Sequence, residues 1–413
     1  MEAKLNVCII SREFPPDTAF GGIGTFSLDT ALMLKQRGHR VTVLSQSLSV
    51  THTFDHHGVT VHKLKVPRPL DTYHFLPALI VGFNYVVLRR LKRLHREQPF
   101  DIVDAPDHLA EGLSTALFTD LPVVTRLHTP FALLADLGLN DYRKGPSYRF
   151  IRLAEKIALA RSEAIYAPCL DLVRRCQTLF SLPELPAKVF GYPLDLDLFS
   201  PLREPRAHAN TRLLFLGRFE QRKGIETIVG ALPKIIAKRP DVTLTMVGRD
   251  TPNISGYSSG REYVERSLEH AGCRACVEFR DYVPLQELPH FFHDHDIVWV
   301  PSLYDNYPIV CLEAMACGKP VVVADSGGLP EMVKNDATGL VFEAGNPDAL
   351  ASRTLELCET PGVAERLGAA ARESAVAECS PDVIYEHTMD LYRYAMEAAN
   401  RDGRSRPALA NHR

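Results

Sequence analysis

Two apolar runs, Ile297-Val298-Trp299-Val300 and Pro320-Val321-Val322-Val323-Ala324, bracket a third apolar segment from Ile309 to Ala316. Short runs with no polar alternation read as buried strands. The middle segment is entered past Asp305 and Asn306, both capping types, and Pro308, which a helix tolerates in its first turn. Gly318 is placed to end it. The spacing predicts a strand, a helix from about Pro308 to Cys317, a second strand, and a tight turn at Ser326-Gly327-Gly328. Alternation of this kind belongs to an α/β sheet.

Within that helix Glu313 is the odd residue, because Ile309, Val310, Cys311, Leu312, Ala314, Met315 and Ala316 are apolar on every face. A helix apolar all round is buried. A carboxylate inside it is costly unless it is paired or hydrogen-bonded. The vicinal hydroxyls of a ribose would satisfy it, since an ionised Glu only accepts and hydroxyls donate. A neighbouring backbone N–H would satisfy it equally.

The same grammar opens both halves of the chain. Leu5 to Ile10 reads as a strand, and a loop with Pro-Pro and Gly-Gly follows. Thr25 to Arg37 has helical spacing and ends at Gly38, and Val41 to Leu44 is the next strand. That is the βαβ start of a doubly wound sheet. Gly21-Gly22-Ile23-Gly24 would let backbone N–H groups approach an anion at a helix N-terminus, though glycines also simply make turns. A dinucleotide fingerprint sets its glycines directly after the strand. Here Ser11 to Phe20 intervene, which argues against NAD.

Phe100 to Val103 and Val123-Val124 read as further strands, followed by Asp104 to His108 and by Leu127-His128-Thr129-Pro130. Ligands of open α/β sheets bind beyond the carboxyl ends of strands, where both segments lie. In the second half Leu213 to Leu216 is a strand, followed by Gly217 to Gly224 and a helix from Ile225. Arg218 and Lys223, two cations at a strand's carboxyl end beside a helix N-terminus, suit a diphosphate; singly, each would pass for a solvated loop charge.

Asp305-x7-Glu313, followed by EAMACGKPVV and a GGLPE turn, resembles the retaining glycosyltransferases of family 4, which have the GT-B fold. The family's usual pattern is Glu-x7-Glu, so Asp305 departs from it, as does Asn306-Tyr307-Pro308 where small residues are common. GRFEQRKGI resembles the family's donor-diphosphate motif, RLHTPF the segment whose His lies beside the transferred sugar, and the Gly-Gly loop the one bordering the donor diphosphate. Val189 to Pro201, with Asp195 and Phe199, resembles the interdomain link. Val277 to Val283 with Leu288 to Phe292 resembles the segment that meets the nucleobase through main-chain groups. Asp195-Leu196-Asp197 has the form of a metal-binding DxD, but its linker position argues against that role.

The resemblance implies catalytic roles for His128, Arg218, Lys223 and Asp305. It implies a donor site of Gly21, Gly22, Arg218, Lys223, Arg280, Tyr282, Val283, Asp305, Asn306, Tyr307, Ile309, Val310 and Glu313, with Asp107 and Glu111 on the acceptor side. No metal and no cofactor are expected, the nucleotide sugar being a substrate. The implied architecture is two Rossmann-like doubly wound domains facing a central cleft. Residues 1–192 form the mainly acceptor-binding domain, joined by a crossover helix at about 381–399; residues 193–380 form the donor-binding domain. The tail 400–413 is polar, basic and expected to be disordered.

Composition limits the alternatives. A net charge of −3 leaves no electrostatic footprint for nucleic acid. MEAKLNVCII enters a strand at once, without signal-peptide layout, and no apolar run reaches the ~18 residues of a membrane span. Nine cysteines, several in apolar runs, suit buried thiols in a reducing cytoplasm. Residues 75–96 divide into an apolar and a basic half. A membrane-surface helix at the inner face has that form, but a domain helix with one buried and one solvated face is preferred. The expected reaction is glycosyl transfer from a UDP- or GDP-sugar to a hydroxyl of a glycan, lipid-linked or small-molecule acceptor. A nucleotide-sugar epimerase of the same fold and a non-catalytic sugar-nucleotide binder are the rivals.

Overall fold

The computed structural model describes residues 4–401 except 17, 19–21, 68–69, 71–74, 139–143, 183, 203–209, 255 and 282, with only the backbone at 253. Gly21, Tyr282 and nearly all of the 400–413 tail therefore lie outside the described residues. The chain divides into two compact units, Met1–Pro193 with Pro381–Arg413, and Leu194–Ser380.

Unit 1 is built on β1 (Asn6–Ile10), β2 (Arg40–Ser47), β3 (His52–His56), β4 (Val59–Lys65), β5 (Ile102–Pro106), β6 (Val123–Arg126), β7 (Ala164–Ala167) and β8 (Ala187–Val189). They lie in the order β3-β4-β2-β1-β5-β6-β7-β8. Every pair is parallel except the edge hairpin β3-β4. Strands β1, β5, β6 and β7 are buried at every residue. A parallel sheet covered on both faces buries its strands along their whole length, so the polar Asp104, Thr125 and Arg126 must find partners inside it. From β1 the chain winds outward to β2, β4 and β3, then lays β5 on the other side of β1. The loops after β1 and β5 thus flank a topological switch point, the place where open sheets bind ligands.

The helix Leu76–Glu97 puts Phe83, Val87 and Leu91 into the core formed with Cys8, Ile10, Leu44 and Leu64. Its basic residues Arg89, Lys92, Arg93 and Arg96 face solvent, and Arg93 pairs with Glu97 at 3.0 Å. The apolar half is thus largely spent inside the unit. Among the described residues no helix is long and apolar enough to cross a membrane. The last helix, Pro381–Arg401, packs on unit 1: Tyr392 donates to Asp104 Oδ2 at 2.6 Å, and Tyr385 meets His39 Nε2 at 2.9 Å.

Unit 2 carries β9 (Arg212–Leu216), β10 (Thr243–Val247), β11 (Pro252–Ile254), β12 (Tyr257–Ser259), β13 (Val277–Arg280), β14 (Ile297–Val300), β15 (Val321–Ala324) and β16 (Leu340–Phe342). The parallel sheet runs β13-β10-β9-β14-β15-β16, with β11-β12 a separate ribbon. Its switch point lies between β9 and β14, so the loops after those two strands flank it.

Three local details differ from the sequence reading. The first helix begins at Gly22 rather than Thr25, so Gly22 and Gly24 belong to its opening turns. Strand β5 is shifted toward the C-terminus, placing Asp104 within the sheet. Asp305 and Asn306 do not cap the Ile309–Ala316 helix; Pro308 occupies the N-cap, with no side-chain bond. The other end is as expected: Gly318 at φ 71° closes a Schellman turn, with Gly318 N–H on Met315 O (2.9 Å) and Lys319 N–H on Ala314 O (3.0 Å).

Candidate active site

In unit 2 the loop after β9 is pressed against the loop after β14. Gly224 allows the approach: it sits at φ +77°, and a Cβ there would lie 1.9 Å from the carbonyl oxygen of Pro301. Gly327 does the same from beyond β15, where a Cβ would lie 2.0 Å from Asp305 O. Between these glycines runs a chain of charges. Lys223 Nζ donates to Asp305 Oδ2 at 2.5 Å, and Arg222 Nη1 lies 3.5 Å from the same oxygen. Arg222 also donates to Tyr304 O (3.1 Å) and Glu220 Oε1 (3.0 Å), and Arg218 Nη2 reaches Glu220 Oε1 at 3.1 Å. Burial pushes the Asp305 carboxyl up, but Lys223 and Arg222 prevail and hold it below the usual carboxylate range. Burial lowers the Lys223 ammonium against the pull of Asp305.

The structure pairs Lys223 with Asp305 and links Arg218 to them through Glu220 and Arg222. It adds Arg222 and Glu220, which sequence reasoning passed over because neighbours of a motif cation read as ordinary loop charges. Asn306 and Tyr307 follow Asp305 and are buried; Tyr307 turns its hydroxyl to Cys379 Sγ at 3.2 Å. The leading N–H groups of Ile309 and Val310 open a helix without a side-chain cap. Glu313 is 5% exposed on that helix, one turn before Cys317. Burial, with Glu313 beside it, pushes the Cys317 thiol up to about 12. Arg280 ends β13, its carbonyl accepting from Gly248 N–H at 3.0 Å and its side chain paired with Glu278; Val283 follows, half-buried. Asp195 Oδ1 accepts the N–H groups of Asp197 (3.1 Å) and Leu198 (2.9 Å), so the Asp-Leu-Asp triplet is a turn.

In unit 1 the loops after β1, β5 and β6 lie side by side. His128 follows β6, its ring edge-on to Phe26 at 5.1 Å and its Nδ1 3.2 Å from the Tyr192 hydroxyl. Burial, aided by Arg126 and His108, lowers its pKa well below the ordinary histidine range, so the imidazole is neutral at neutral pH. Asp107 and Glu111, expected to line the acceptor side, are each only 1% exposed and engaged with backbone. Asp107 Oδ1 accepts His128 N–H at 2.9 Å; Glu111 Oε2 accepts Arg12 N–H at 2.7 Å. Burial raises both carboxyls to about 7, against N–H donors for Asp107 and against Arg12 for Glu111. They hold loops rather than face an open surface. Gly22 is exposed at the start of its helix.

Residues 20–198 match the model of Glycosyltransferase Family 4, and residues 203–374 match that of Glycosyl transferases group 1. The D-inositol 3-phosphate glycosyltransferase of Streptomyces avermitilis is 30% identical over 344 residues, covering 80% of this chain and 73% of the relative. The chain belongs to glycosyltransferase family 4. Another relative, the glycogen synthase of Mycobacterium tuberculosis, is 25% identical over 99% of both chains. Among solved structures, Anabaena HepE in complex with UDP-glucose superposes with a TM-score of 0.69 at 16% identity, covering 94% of this chain and 100% of that one. The fold is GT-B. As a family 4 glycosyltransferase the chain uses nucleotide sugars, and the charge cluster of unit 2 lies at the switch point where an α/β sheet takes its ligand.

Proposed function

We propose that the chain transfers a sugar, with retention of anomeric configuration and without a metal ion, from a UDP- or GDP-sugar to a hydroxyl of a glycan, lipid-linked or small-molecule acceptor. The observation that carries this reading is the convergence of Arg222 and Lys223 on Asp305 at the unit 2 switch point, with Arg218 tied to Arg222 through their shared partner Glu220. In it, Arg218, Lys223 and the N–H groups of Ile309 and Val310 receive the diphosphate, whose charge grows as the glycosidic bond breaks. Asp305 then accepts from a hydroxyl of the transferred sugar, and Glu313 from the ribose. Main-chain groups around Arg280 to Val283 meet the base. Unit 1 supplies neutral His128 beside the sugar. The acceptor oxygen bonds to the anomeric carbon on the face the phosphate leaves, and the leaving phosphate oxygen takes the acceptor proton. Glycosyl transfer of this kind has its place in carbohydrate biosynthesis, and the cytoplasm is where these donors are met.

Nucleotide release from UDP-glucose and GDP-mannose, with and without candidate acceptors, tests the reaction, and proton NMR of the product tests retention. Release that depends on acceptor, with the donor's configuration kept, is expected. Conversion of the donor without acceptor would favour an epimerase, tight binding without turnover a binding protein, and an inverted product would exclude same-face attack.

A further inference from the structure

The helix Pro146–Ala160 carries one acid on its inward face, Glu155, which is fully buried. No ion pair compensates it among the described residues; its partners are backbone. Oε1 accepts the N–H groups of Leu109 (3.0 Å) and Phe131 (2.7 Å), and Oε2 accepts that of Ala132 (3.1 Å). These donors sit on two different connections. Leu109 lies in the turn after β5, between Asp107 and Glu111. Phe131 and Ala132 are the first residues of the short helix Phe131–Asp136, which follows the His128 loop after β6. The first loop is strained: Leu109 (φ 54°) and Ala110 (φ 51°) are consecutive non-glycine residues in the left-handed region. Such conformations cost on the order of 1–3 kcal/mol each and persist only where the surroundings over-determine them, most often at functional sites. Here a second buried residue, Asn84, grips the same loop, with Nδ2 on Ala110 O (3.1 Å) and Oδ1 on Ser114 N–H (2.8 Å).

We infer that Glu155 is a positioning residue for sugar transfer, its single carboxylate setting the loops that present His128 and Glu111. The inference rests on the proposed reading that His128 stands beside the transferred sugar. Its reach extends to a third loop, because Glu111 takes the Arg12 N–H. The carboxylate touches neither donor nor acceptor; it acts through backbone. Three N–H groups from two connections, one of them strained, require both oxygens of a carboxylate. An amide at this site has one acceptor oxygen, so in either orientation its NH₂ faces an N–H.

The test compares the full chain with Glu155→Gln and Asn84→Ala. Amide exchange should rise at least about tenfold at 107–112 and 127–133 in Glu155→Gln, since each lost bond to a charged group carries a substantial share of local stability. In Asn84→Ala the rise should be confined to 107–112. Calorimetric affinity for UDP or GDP should stay within about twofold of wild type, because unit 2 is untouched. For release of nucleotide from UDP-glucose or GDP-mannose, water serving as acceptor, kcat of Glu155→Gln should fall at least about tenfold while donor KM moves less than about threefold. Loosened loops with unchanged kcat would overturn the positioning role, and exchange raised evenly across unit 1 would reduce Glu155 to a stabilising residue. If the wild-type chain binds no nucleotide and turns over no donor, the proposed function falls instead, and exchange still decides whether Glu155 holds the loops.

Discussion

The two units use one topology to opposite electrostatic ends. At the unit 2 switch point, charged side chains face one another: Arg218 is 55% exposed, Lys223 and Asp305 are paired, and Asp305 is held ionised. At the unit 1 switch point the acids are sunk beneath their loops and spent on backbone N–H groups; burial raises Asp107 and Glu111 to about 7 and pushes Glu155 up against the pull of its three N–H donors. The histidines there are held neutral. On the proposed reading, the difference follows what each ligand demands. A diphosphate needs fixed positive charge aimed at it, whereas a neutral hydroxyl needs a rigid frame with little net field. A shared fold therefore reveals the location of a site and nothing of its sign.

The largest effect that could break this contrast lies in unit 2. Lys223→Ala should cut turnover by roughly 1.5–3 kcal/mol of transition-state stabilisation, about 10- to 150-fold, with Arg218→Ala milder because its side chain already faces water. Steady-state kinetics at saturating donor would detect it; an unchanged kcat would make both simple affinity residues.

Next come the two acids. Glu313→Gln should weaken binding of the free nucleoside diphosphate several-fold, since a ribose contact exists with or without the sugar. Asp305→Asn should lower turnover while leaving nucleotide affinity unchanged or higher, because it frees Lys223 from an internal competitor. Calorimetry that found equal affinity losses for the two would show that this division of labour is wrong.

A smaller effect separates the units by pH. The folded carboxyls of Asp107 and Glu111 lie above their unfolded values, so the native state keeps protons that the unfolded chain has lost. Their stabilisation is complete below about pH 4 and is lost as pH rises through about 7. His108 and His128 have the opposite sign, being depressed, and their cost appears only below about pH 6.5. Between pH 6.5 and 8 unit 1 should therefore weaken by roughly 1–2 kcal/mol. Hydrogen exchange resolved by unit would show it; a flat profile for β5 and β6 would mean these acids are ionised throughout.

The smallest concerns the Leu76–Glu97 helix. Val81 and Tyr85 stay about half exposed near its basic side chains. Contact with anionic vesicles, if made, should be weak and vanish as salt rises, and absence of co-sedimentation at low ionic strength would leave it a domain helix only.

The parts of this arrangement that follow from local pattern were legible in the sequence. Apolar runs marked β1, β9, β14 and β15, and Gly318 marked the end of the Glu313 helix. Arg218, Lys223 and Asp305 could be singled out because strand ends carry ligands and because the motifs contain them. What escaped depends on distance in the chain. Asp107 and Glu111 were expected to line the acceptor side because nothing local says they would be buried; the loop after β1 that covers Glu111 is 99 residues away. Glu155 had a local signal, an acid on the inward stripe of Ile151, Ala154, Ala158 and Leu159, but its partners come from two remote connections.

The closing helix also dictates a schedule for biosynthesis. Asp104 waits for Tyr392, a partner 288 positions downstream, and Arg126 shares that acid from the next strand. At typical elongation rates of 5–20 residues per second, roughly 15–60 s pass between the emergence of the two ends of that bond. Unit 2 is made whole during the interval, while the surface that Ile384, Tyr385, Met389 and Tyr392 will cover stays open on the nascent chain. The helix that completes unit 1 is made only after all of unit 2, so unit 1, first to be translated, is last to close.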